Sequence, residues 1–284
     1  MLHVKPNESR PATSRAWGWG LEGRIPPRVE SRYLQIGDAQ LHYQVAGQGA
    51  PVVLLHGLSG STRWWARNVP ALARHFRVYL IDLIGFGASR AASRFALHEA
   101  ASHLTCWMDY LGIERASLVG HSMGGFIAAD LAAQAPQRVE RLVLVDAAAL
   151  PLPRGRWQQA RGLLQGLWRL PVSFLPVLFT DAHRAGPVTI LRAAQELLRA
   201  DIQGKLARVV VPTLLVWGEG DALVPVELGE RLASALPRAE LVVLPGAGHN
   251  PMWDRPDAFN RLVLDFLKRP APPATTSRAA RTAA

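Results

Sequence analysis

The stretch Gly120-His121-Ser122-Met123-Gly124 lies between a short apolar run, residues 116–119, and a run with the spacing of a helix, residues 125–133. A strand that turns this sharply into a helix needs glycine at both ends of the turn, because side chains there would collide with neighbouring backbone. Such a turn holds its central serine in a strained conformation with an exposed hydroxyl. The stretch therefore predicts a strand, a tight turn and a helix, with Ser122 as a candidate nucleophile.

Strand-like and helix-like segments alternate on both sides of this turn. Two strand-like segments, residues 33–36 and 40–45, are joined by Gly37-Asp38, which is typical of a hairpin. Apolar runs that suit strands buried on both faces follow at Pro51–Leu55, 76–81, Val139–Val145, 212–217 and Ala239–Leu244. A hairpin followed by repeated strand–helix units predicts an α/β fold with a mostly parallel sheet and helices on both faces.

Composition divides the chain into a core, an insertion and two tails. Residues 1–28 are polar and rich in Pro, Gly and Arg, and residues 270–284 are rich in Pro, Ala, Thr and Arg, so both are predicted to be disordered. The core is predicted to comprise residues 29–146 and 209–269. Between them, residues 147–208 show helical apolar spacing and predict a helical lid over the carboxyl edge of the sheet.

The net charge of +10 is concentrated in a few segments and does not form one basic face. Residues 1–32 carry six basic and three acidic side chains, residues 268–284 four and none, and residues 150–208 nine and three. We therefore expect no nucleic-acid partner and no membrane-spanning segment, although the basic, apolar insertion leaves weak contact with an anionic membrane surface open. Cys106 is the single cysteine, and with no secretory signal this favours a cytoplasmic protein. The oligomeric state is left open.

Two further residues complete a candidate catalytic group with Ser122. A serine hydroxyl needs an adjacent base, usually a histidine oriented by a carboxylate. His249 lies in a loop directly after the strand at Ala239–Leu244, and Asp221 directly follows the strand at residues 212–217. Because parallel strands end at one edge of the sheet, these residues are expected beside Ser122. Asp146, after the strand at Val139–Val145, is a competitor of Asp221 for the role of the acid.

Backbone N–H groups near this serine could bind the negative oxygen of a tetrahedral intermediate. The N–H of Leu58, after His56-Gly57, and the N–H of Met123 are the predicted donors. The histidines lack the spacing of a metal site, and no metal or other cofactor is expected. The residues predicted to line the substrate pocket are His56, Gly57, His121, Trp157 and Trp168.

These motifs together resemble the α/β-hydrolase fold superfamily over about residues 33–267. The matching pieces are His56-Gly57, the run from Asp82 to Ser89, the turn at Ser122, the turn at Gly218–Asp221 and the loop at Gly248-His249. The resemblance implies an eight-stranded, mostly parallel sheet, a lid after the strand at Val139–Val145, and a Ser122–His249–Asp221 triad. The run from Asp82 to Ser89 is expected to be scaffold that ties down the loop beside the oxyanion turn.

The first expectation for function is hydrolysis of a carboxylic ester, a small molecule, through an acyl-enzyme and without a cofactor. The alternative is hydrolysis of a carbon–carbon bond in a vinylogous diketone acid, as in the meta-cleavage product hydrolases, which Ser122-Met123-Gly124-Gly125 resembles. Many of those enzymes have Asn before the nucleophile and Trp after the histidine, where this chain has His121 and Asn250. A ligand receptor that retains the hydrolase fold is a third, weaker reading.

Overall fold

A ten-stranded sheet is the centre of the computed structural model, which describes residues 4–6, 28–91, 95–151 and 170–270. Its strands are β1 (Val4–Pro6), β2 (Glu30–Ile36), β3 (Ala39–Ala46), β4 (Pro51–Leu55), β5 (Arg77–Ile81), β6 (Arg90–Ala91), β7 (Ala116–His121), β8 (Val139–Val145), β9 (Thr213–Gly218) and β10 (Ala239–Leu244). The described helices are α1 (Val69–Leu72), α2 (Ala100–Tyr110), α3 (Met123–Gln134), α4 (Leu175–Ala185), α5 (Pro187–Arg199), α6 (Val226–Ala235), α7 (Pro251–Asp254) and α8 (Pro256–Leu267).

The strand order places the ends of several strands in one row. The order is β1-β2-β3-β5-β4-β7-β8-β9-β10, with β6 paired to β3. Pairing is antiparallel from β1 to β5 and parallel from β5 to β10. Leu55 is opposite Gly120, and Val145 is opposite both His121 and Val216. The turns after β4, β7, β8 and β9 therefore meet at one edge, where open α/β sheets bind ligands.

Both faces of the sheet are covered. Along β4, Val53 and Leu55 pack into the cluster beneath α2 and α3, whereas Val52 and Leu54 pack into the cluster beneath α1 and α8. Alternation of side chains along a strand explains this division, and burial on both faces explains why the strand has no polar side chain. The mostly parallel sheet with helices on both faces confirms the predicted fold class.

The sheet has two short strands beyond the eight predicted. One of them, β1 at Val4–Pro6, pairs antiparallel with the edge of β2, so the prediction of disorder for residues 1–28 is wrong for these three residues. Without β1, strand β2 would present a row of unpaired N–H and C=O groups. The other short strand, β6, pairs with Ala39 and Gln40 at the start of β3.

Residues 62–74, whose sequence is typical of one helix, are divided in two. A 3-10 helix covers Thr62–Trp65, and α1 follows only at Val69–Leu72. Pro70 explains the break, because proline has no N–H and is tolerated in the first turn of a helix but not in its interior. The position of Pro70 in the first turn of α1 agrees with this rule.

The insertion, residues 147–208, contributes two α-helices and one 3-10 helix, Gln203–Arg208, in its described part. The two α-helices, α4 and α5, are joined at Gly186, whose φ of +76° is a conformation that glycine adopts without cost. No helix within the described ranges is long and apolar enough to span a bilayer. The division of the chain into core, lid and tails stays a prediction, and most of the predicted tail at 270–284 lies outside the described residues.

Candidate active site

Ser122 occupies the tight turn between β7 and α3 with φ 51° and ψ −113°, a backbone conformation that non-glycine residues rarely adopt. A Cβ atom at Gly120 would lie 2.3 Å from the carbonyl oxygen of Gly124, and one at Gly124 would lie 2.4 Å from that of Leu55. Glycine is therefore required at both ends of the turn. The Ser122 side chain makes no capping bond to α3, so the simplest structural role for a serine at a helix start does not apply.

His249 and Asp221 are joined by a short hydrogen bond. His249 Nδ1 and Asp221 Oδ2 are 2.7 Å apart, and the Asp221 side chain is fully buried. The other carboxylate oxygen of Asp221 accepts the N–H groups of Leu223 and Val224, at 2.8 and 3.0 Å. These bonds fix the carboxylate, which in turn holds the proton of the His249 ring on Nδ1. Nε2 is then the nitrogen that can accept a proton.

Asp146, the competitor for the acid, lies at the end of β8 with φ 42° and is fully buried. Its Oδ1 accepts the N–H of Gly218 at 2.9 Å, and its Oδ2 has no hydrogen-bond partner among the described residues. Burial, and then the negative charge of Asp221, raises the pKa of Asp146 well above its usual value. The structure thus pairs His249 with Asp221 and gives Asp146 the environment of a neutral carboxylic acid.

His121 supports the loop that carries His249. Its Nε2 donates to the carbonyl oxygen of His249 at 2.7 Å, and the two rings lie 4.9 Å apart. Burial, and then the positive charge of His249, lowers the pKa of His121 well below its usual value. A neutral His121 adds no positive charge beside His249, so it does not oppose the protonation of His249. Its Nδ1 is buried without a partner among the described residues.

The turn after β4 approaches Ser122 closely. A Cβ atom at Gly57 would lie 2.7 Å from His121 Nδ1 and 3.1 Å from Ser122 Cβ. The N–H of Leu58, the next residue, and the N–H of Met123 at the start of α3 have no acceptor among the described residues. Both predicted oxyanion donors therefore lie on segments beside Ser122, and their role stays a prediction.

His56 differs from its predicted place in the substrate pocket. The side chain is fully buried, and Nδ1 donates to the carbonyl oxygen of Gly57 at 2.7 Å while Nε2 accepts the N–H of Leu83 at 3.0 Å. Burial lowers the pKa of His56, as expected for a neutral ring with one donor and one acceptor. Neither nitrogen is left for a substrate, so His56 ties the turn after β4 to the turn after β5.

Asp82 is the centre of the scaffold beside this turn. Its Oδ1 accepts the N–H of Thr62 at 2.6 Å, and its Oδ2 accepts from Ala88 N–H at 2.7 Å and from His42 Nδ1 at 2.8 Å. Gly87, with φ +56°, has no room for a Cβ atom, which would lie 2.2 Å from the Asp82 carboxyl carbon. These contacts confirm the scaffolding role predicted for the run from Asp82 to Ser89.

Two residues near the site were not predicted. Asp254 Oδ2 accepts the N–H of Gly248 at 2.8 Å, next to His249, and burial raises the pKa of Asp254. Asp181 of α4 is fully buried against the segment that follows the turn after β4. The Asp181 contact joins residues 120 positions apart, so no local pattern indicates it. Trp157 and Trp168, predicted to line the pocket, lie outside the described residues.

The site also holds atoms that could bind a metal ion. One ligand atom from each of His121, Asp146 and His249 lies within 4.8 Å of the others. However, His121 Nε2 and His249 Nδ1 are both used in hydrogen bonds to protein groups. These bonds leave one nitrogen of each ring, His121 Nδ1 and His249 Nε2, without a hydrogen-bond partner within the described ranges.

An apolar cavity lies on the α2 side of the sheet. Its lining contains none of Ser122, Asp221 or His249, and its polar residues are Glu99 and His103. The apolar residues that line it are Leu41, Leu55, Ile81, Leu83, Ile84, Phe95, Ala96, Ala100 and Leu104. We do not assign it as the substrate pocket, because its described lining includes no reactive group.

Comparison with known proteins agrees with this geometry. A family described as alpha/beta hydrolase fold matches residues 50–174, and one described as TAP-like protein matches residues 193–279. A 2-hydroxy-6-oxononadienedioate/2-hydroxy-6-oxononatrienedioate hydrolase of Paraburkholderia xenovorans is 34% identical over 81% of this chain and 91% of its own length. A protein named as a carbamate hydrolase from Pseudomonas savastanoi is 33% identical over 76% and 93%. The solved enol-lactonase of Burkholderia xenovorans covers 84% of this chain and 100% of its own, with 27% identity and a TM-score of 0.73.

Proposed function

Because the chain belongs to the α/β-hydrolase family, we propose that Ser122 is its nucleophile and His249 the general base. Asp221 is then the residue that orients His249 and stabilises its protonated form. The observation that carries this proposal is the His249–Asp221 bond of 2.7 Å beside a serine held at φ 51°. The bond leaves Nε2 of His249 to take the hydroxyl proton, as in serine hydrolases generally.

We further propose that the substrate is a vinylogous diketone acid, cleaved at a carbon–carbon bond. The sequence alone placed ester hydrolysis first, but the relative with 34% identity over most of both chains is named for a dienedioate substrate. A carbon leaving group must be stabilised, and a conjugated keto acid provides this by spreading the departing electron pair over its carbonyl group. The substrate would therefore carry at least one carboxylate.

The steps balance as a net addition of water. Ser122 Oγ bonds to the carbonyl carbon while its proton moves to His249, and the N–H groups of Leu58 and Met123 bind the resulting oxyanion. The carbon–carbon bond then breaks, its electron pair stays with the conjugated fragment, and His249 returns the proton to that fragment. Water attacks the acyl-enzyme, again losing a proton to His249, and the second acid leaves as Ser122 regains its hydrogen.

We propose that Arg192 forms an ion pair with the substrate carboxylate. It lies half-buried on α5, one helical turn from Thr189 and Glu196, so the three residues share a face. That face is directed at the segment before α2 and at the turn after β5: Glu196 Oε2 accepts the N–H of Leu97 at 2.6 Å, and a Cβ atom at Gly85 would lie 3.2 Å from Thr189 Cγ2. A guanidinium suits a carboxylate because it donates two parallel hydrogen bonds.

Ester or lactone hydrolysis is the second candidate. His121 and Asn250 stand where many carbon–carbon hydrolases have Asn and Trp, and the enol-lactonase aligns over its whole length at 27% identity. The same triad would serve, since only the leaving atom differs.

Steady-state kinetics on both substrate classes test the proposal. Purified protein is assayed with a ring-cleavage diketone acid and with p-nitrophenyl esters of rising chain length, beside Ser122→Ala as the matched control. We expect kcat/KM for the diketone acid to exceed that for the best ester by about 100-fold, or about 2.7 kcal/mol. If kcat/KM for the best ester instead exceeds that for the diketone acid by a similar factor, ester hydrolysis is the function. Turnover that survives in Ser122→Ala would refute the nucleophile itself.

A further inference from the structure

A carboxylate from the insertion is fully buried against the core beside the active site. Asp181 of α4 accepts hydrogen bonds through Oδ2 from Ser61 Oγ at 2.8 Å and from Trp64 Nε1 at 3.2 Å. Its Oδ1 accepts from Arg63 Nη2 at 2.5 Å. Three residues of one short segment therefore surround one side chain that is more than 110 positions away in the sequence.

That segment begins where the proposed oxyanion turn ends. The turn closes with the Gly60 N–H donating to the carbonyl oxygen of Gly57 at 3.1 Å, and Leu58 lies inside it. Ser61 follows at once and also accepts the N–H of Arg63 at 3.2 Å. The Gly57 end of the turn is held by His56, whose Nδ1 bonds to the Gly57 carbonyl oxygen. Asp181 is thus a matching support at the other end.

Burial makes this contact depend on the geometry of the segment. A carboxylate removed from water loses its hydration, at a large cost in free energy, unless hydrogen bonds and an opposite charge replace it. All the partners found for Asp181 in the described part of the chain belong to residues 61–64. Asp181 can therefore be buried only when this segment, and with it the end of the turn, has its present conformation.

A ring contact links the same segment to His121, which supports the loop that carries His249. Trp64, which donates to Asp181, lies with its ring 5.5 Å from that of His121, and His121 bonds to the backbone of His249. The Trp64 ring also packs on the ring of Phe174, at the start of α4, with 5.1 Å between the ring centroids. A change at Asp181 is therefore expected to affect both the oxyanion turn and the position of Trp64.

We propose that Asp181 is a positioning residue: the insertion, docked through this carboxylate, holds the turn at residues 57–60 so that the Leu58 N–H can bind the oxyanion. This inference rests on the proposed function, because it takes the Leu58 N–H as an oxyanion donor. It adds that the insertion shapes the reaction step as well as the substrate pocket. Misplacement of a catalytic group by about 1 Å can cost about 100-fold in rate.

The test compares Asp181→Asn with a matched variant of another buried carboxylate. Asp130 of α3 also faces the insertion, through Lys205 Nζ at 2.9 Å, but it does not contact residues 57–64. The readouts are the rate constant for inactivation by a fluorophosphonate, kcat and KM separately, the pH profile and the unfolding temperature. Inactivation needs both the nucleophile and the oxyanion donors, and it does not depend on the natural substrate.

We expect Asp181→Asn to slow inactivation and kcat together by about 10- to 100-fold, with KM changed by less than about threefold and an unchanged pH profile. Asp130→Asn should lower the unfolding temperature and leave inactivation within about threefold of wild type. Should Asp181→Asn fail to fold, Trp64→Phe removes the indole donor alone and should slow inactivation in the same way by a smaller factor.

Inactivation of Asp181→Asn at the wild-type rate, with only its stability lowered, would overturn the proposal. A wild-type protein that no fluorophosphonate inactivates would instead refute Ser122 as the nucleophile. Amide hydrogen exchange separates these cases without any chemistry at Ser122. If Asp181 holds the turn, amide exchange over residues 57–62 should be faster in Asp181→Asn but not in Asp130→Asn. Equal exchange rates in the two variants would contradict this role of Asp181.

Discussion

Replacement of Asp221 by Asn tests the hydrogen bond between Asp221 and His249. The amide oxygen of Asn can keep the two backbone N–H groups that Asp221 Oδ1 accepts. Its NH2 group then faces His249 Nδ1 across the former 2.7 Å bond. Two donors cannot share one hydrogen bond, so the ring moves its proton to Nε2 and can no longer accept the proton of Ser122.

The expected loss follows from this change of tautomer. A wrong tautomer and an unstabilised imidazolium cost about 10⁴-fold in kcat for the Ser-His-Asp arrangement, or about 5 kcal/mol of transition-state stabilisation. Asp146→Asn is the matched control, because its amide oxygen can keep the Gly218 N–H while its NH2 group donates toward Asp221. We expect it to retain kcat within about threefold, or about 0.65 kcal/mol.

The assay is kcat/KM for both variants on the better of the two substrate classes, with the unfolding temperature measured alongside. Both variants should stay folded, since each replacement conserves shape and hydrogen bonds. An Asp221→Asn variant within tenfold of wild type, together with a large loss in Asp146→Asn, would refute the reasoning and make Asp146 the acid.

Three further outcomes are expected. Gly57→Ala would place a Cβ atom 2.7 Å from His121 Nδ1 and should lower kcat by at least about 100-fold, and wild-type turnover would contradict a close approach of this turn to Ser122. Arg192→Met should raise KM for the diketone acid about tenfold or more and leave KM for neutral esters unchanged. An equal change in KM for both substrate classes would contradict the pairing of Arg192 with the substrate carboxylate. The raised pKa of Asp146 means that the folded state binds a proton that the unfolded state releases above about pH 4, so stability falls as pH rises from there toward the folded pKa. Asp146→Asn lacks this titration, so its unfolding temperature should rise relative to that of the wild type as pH increases above about 4; parallel curves would contradict the raised pKa.

Much of the site could be predicted from the sequence because its parts are short motifs at the ends of consecutive strands. The turn at Ser122, the position of His249 and the Asp82 scaffold each depend on glycine and on local hydrogen bonds, which leave a local pattern. The choice of Asp221 over Asp146 was harder, since both follow a strand. The structure distinguishes them by the partners of each carboxylate.

The remaining features depend on contacts between distant residues. Asp181 could be mistaken for a surface charge of an amphipathic helix, because its partners are 117 to 120 positions away. His56 looked free to meet a substrate until Leu83 was found to donate to its second nitrogen. The strand at Val4–Pro6 has no pattern of its own and forms only because the edge of β2 is available. Substrate choice was least predictable, because the predicted lid at residues 147–208 includes residues 152–169, which lie outside the described part.

The most direct test of Ser122 as the nucleophile is the site of covalent modification by a fluorophosphonate, mapped by peptide mass spectrometry. The triad predicts a single stoichiometric adduct on Ser122, complete loss of turnover when it forms, and no adduct in Ser122→Ala. An adduct on another residue, or hydrolytic turnover that persists in Ser122→Ala, would contradict it.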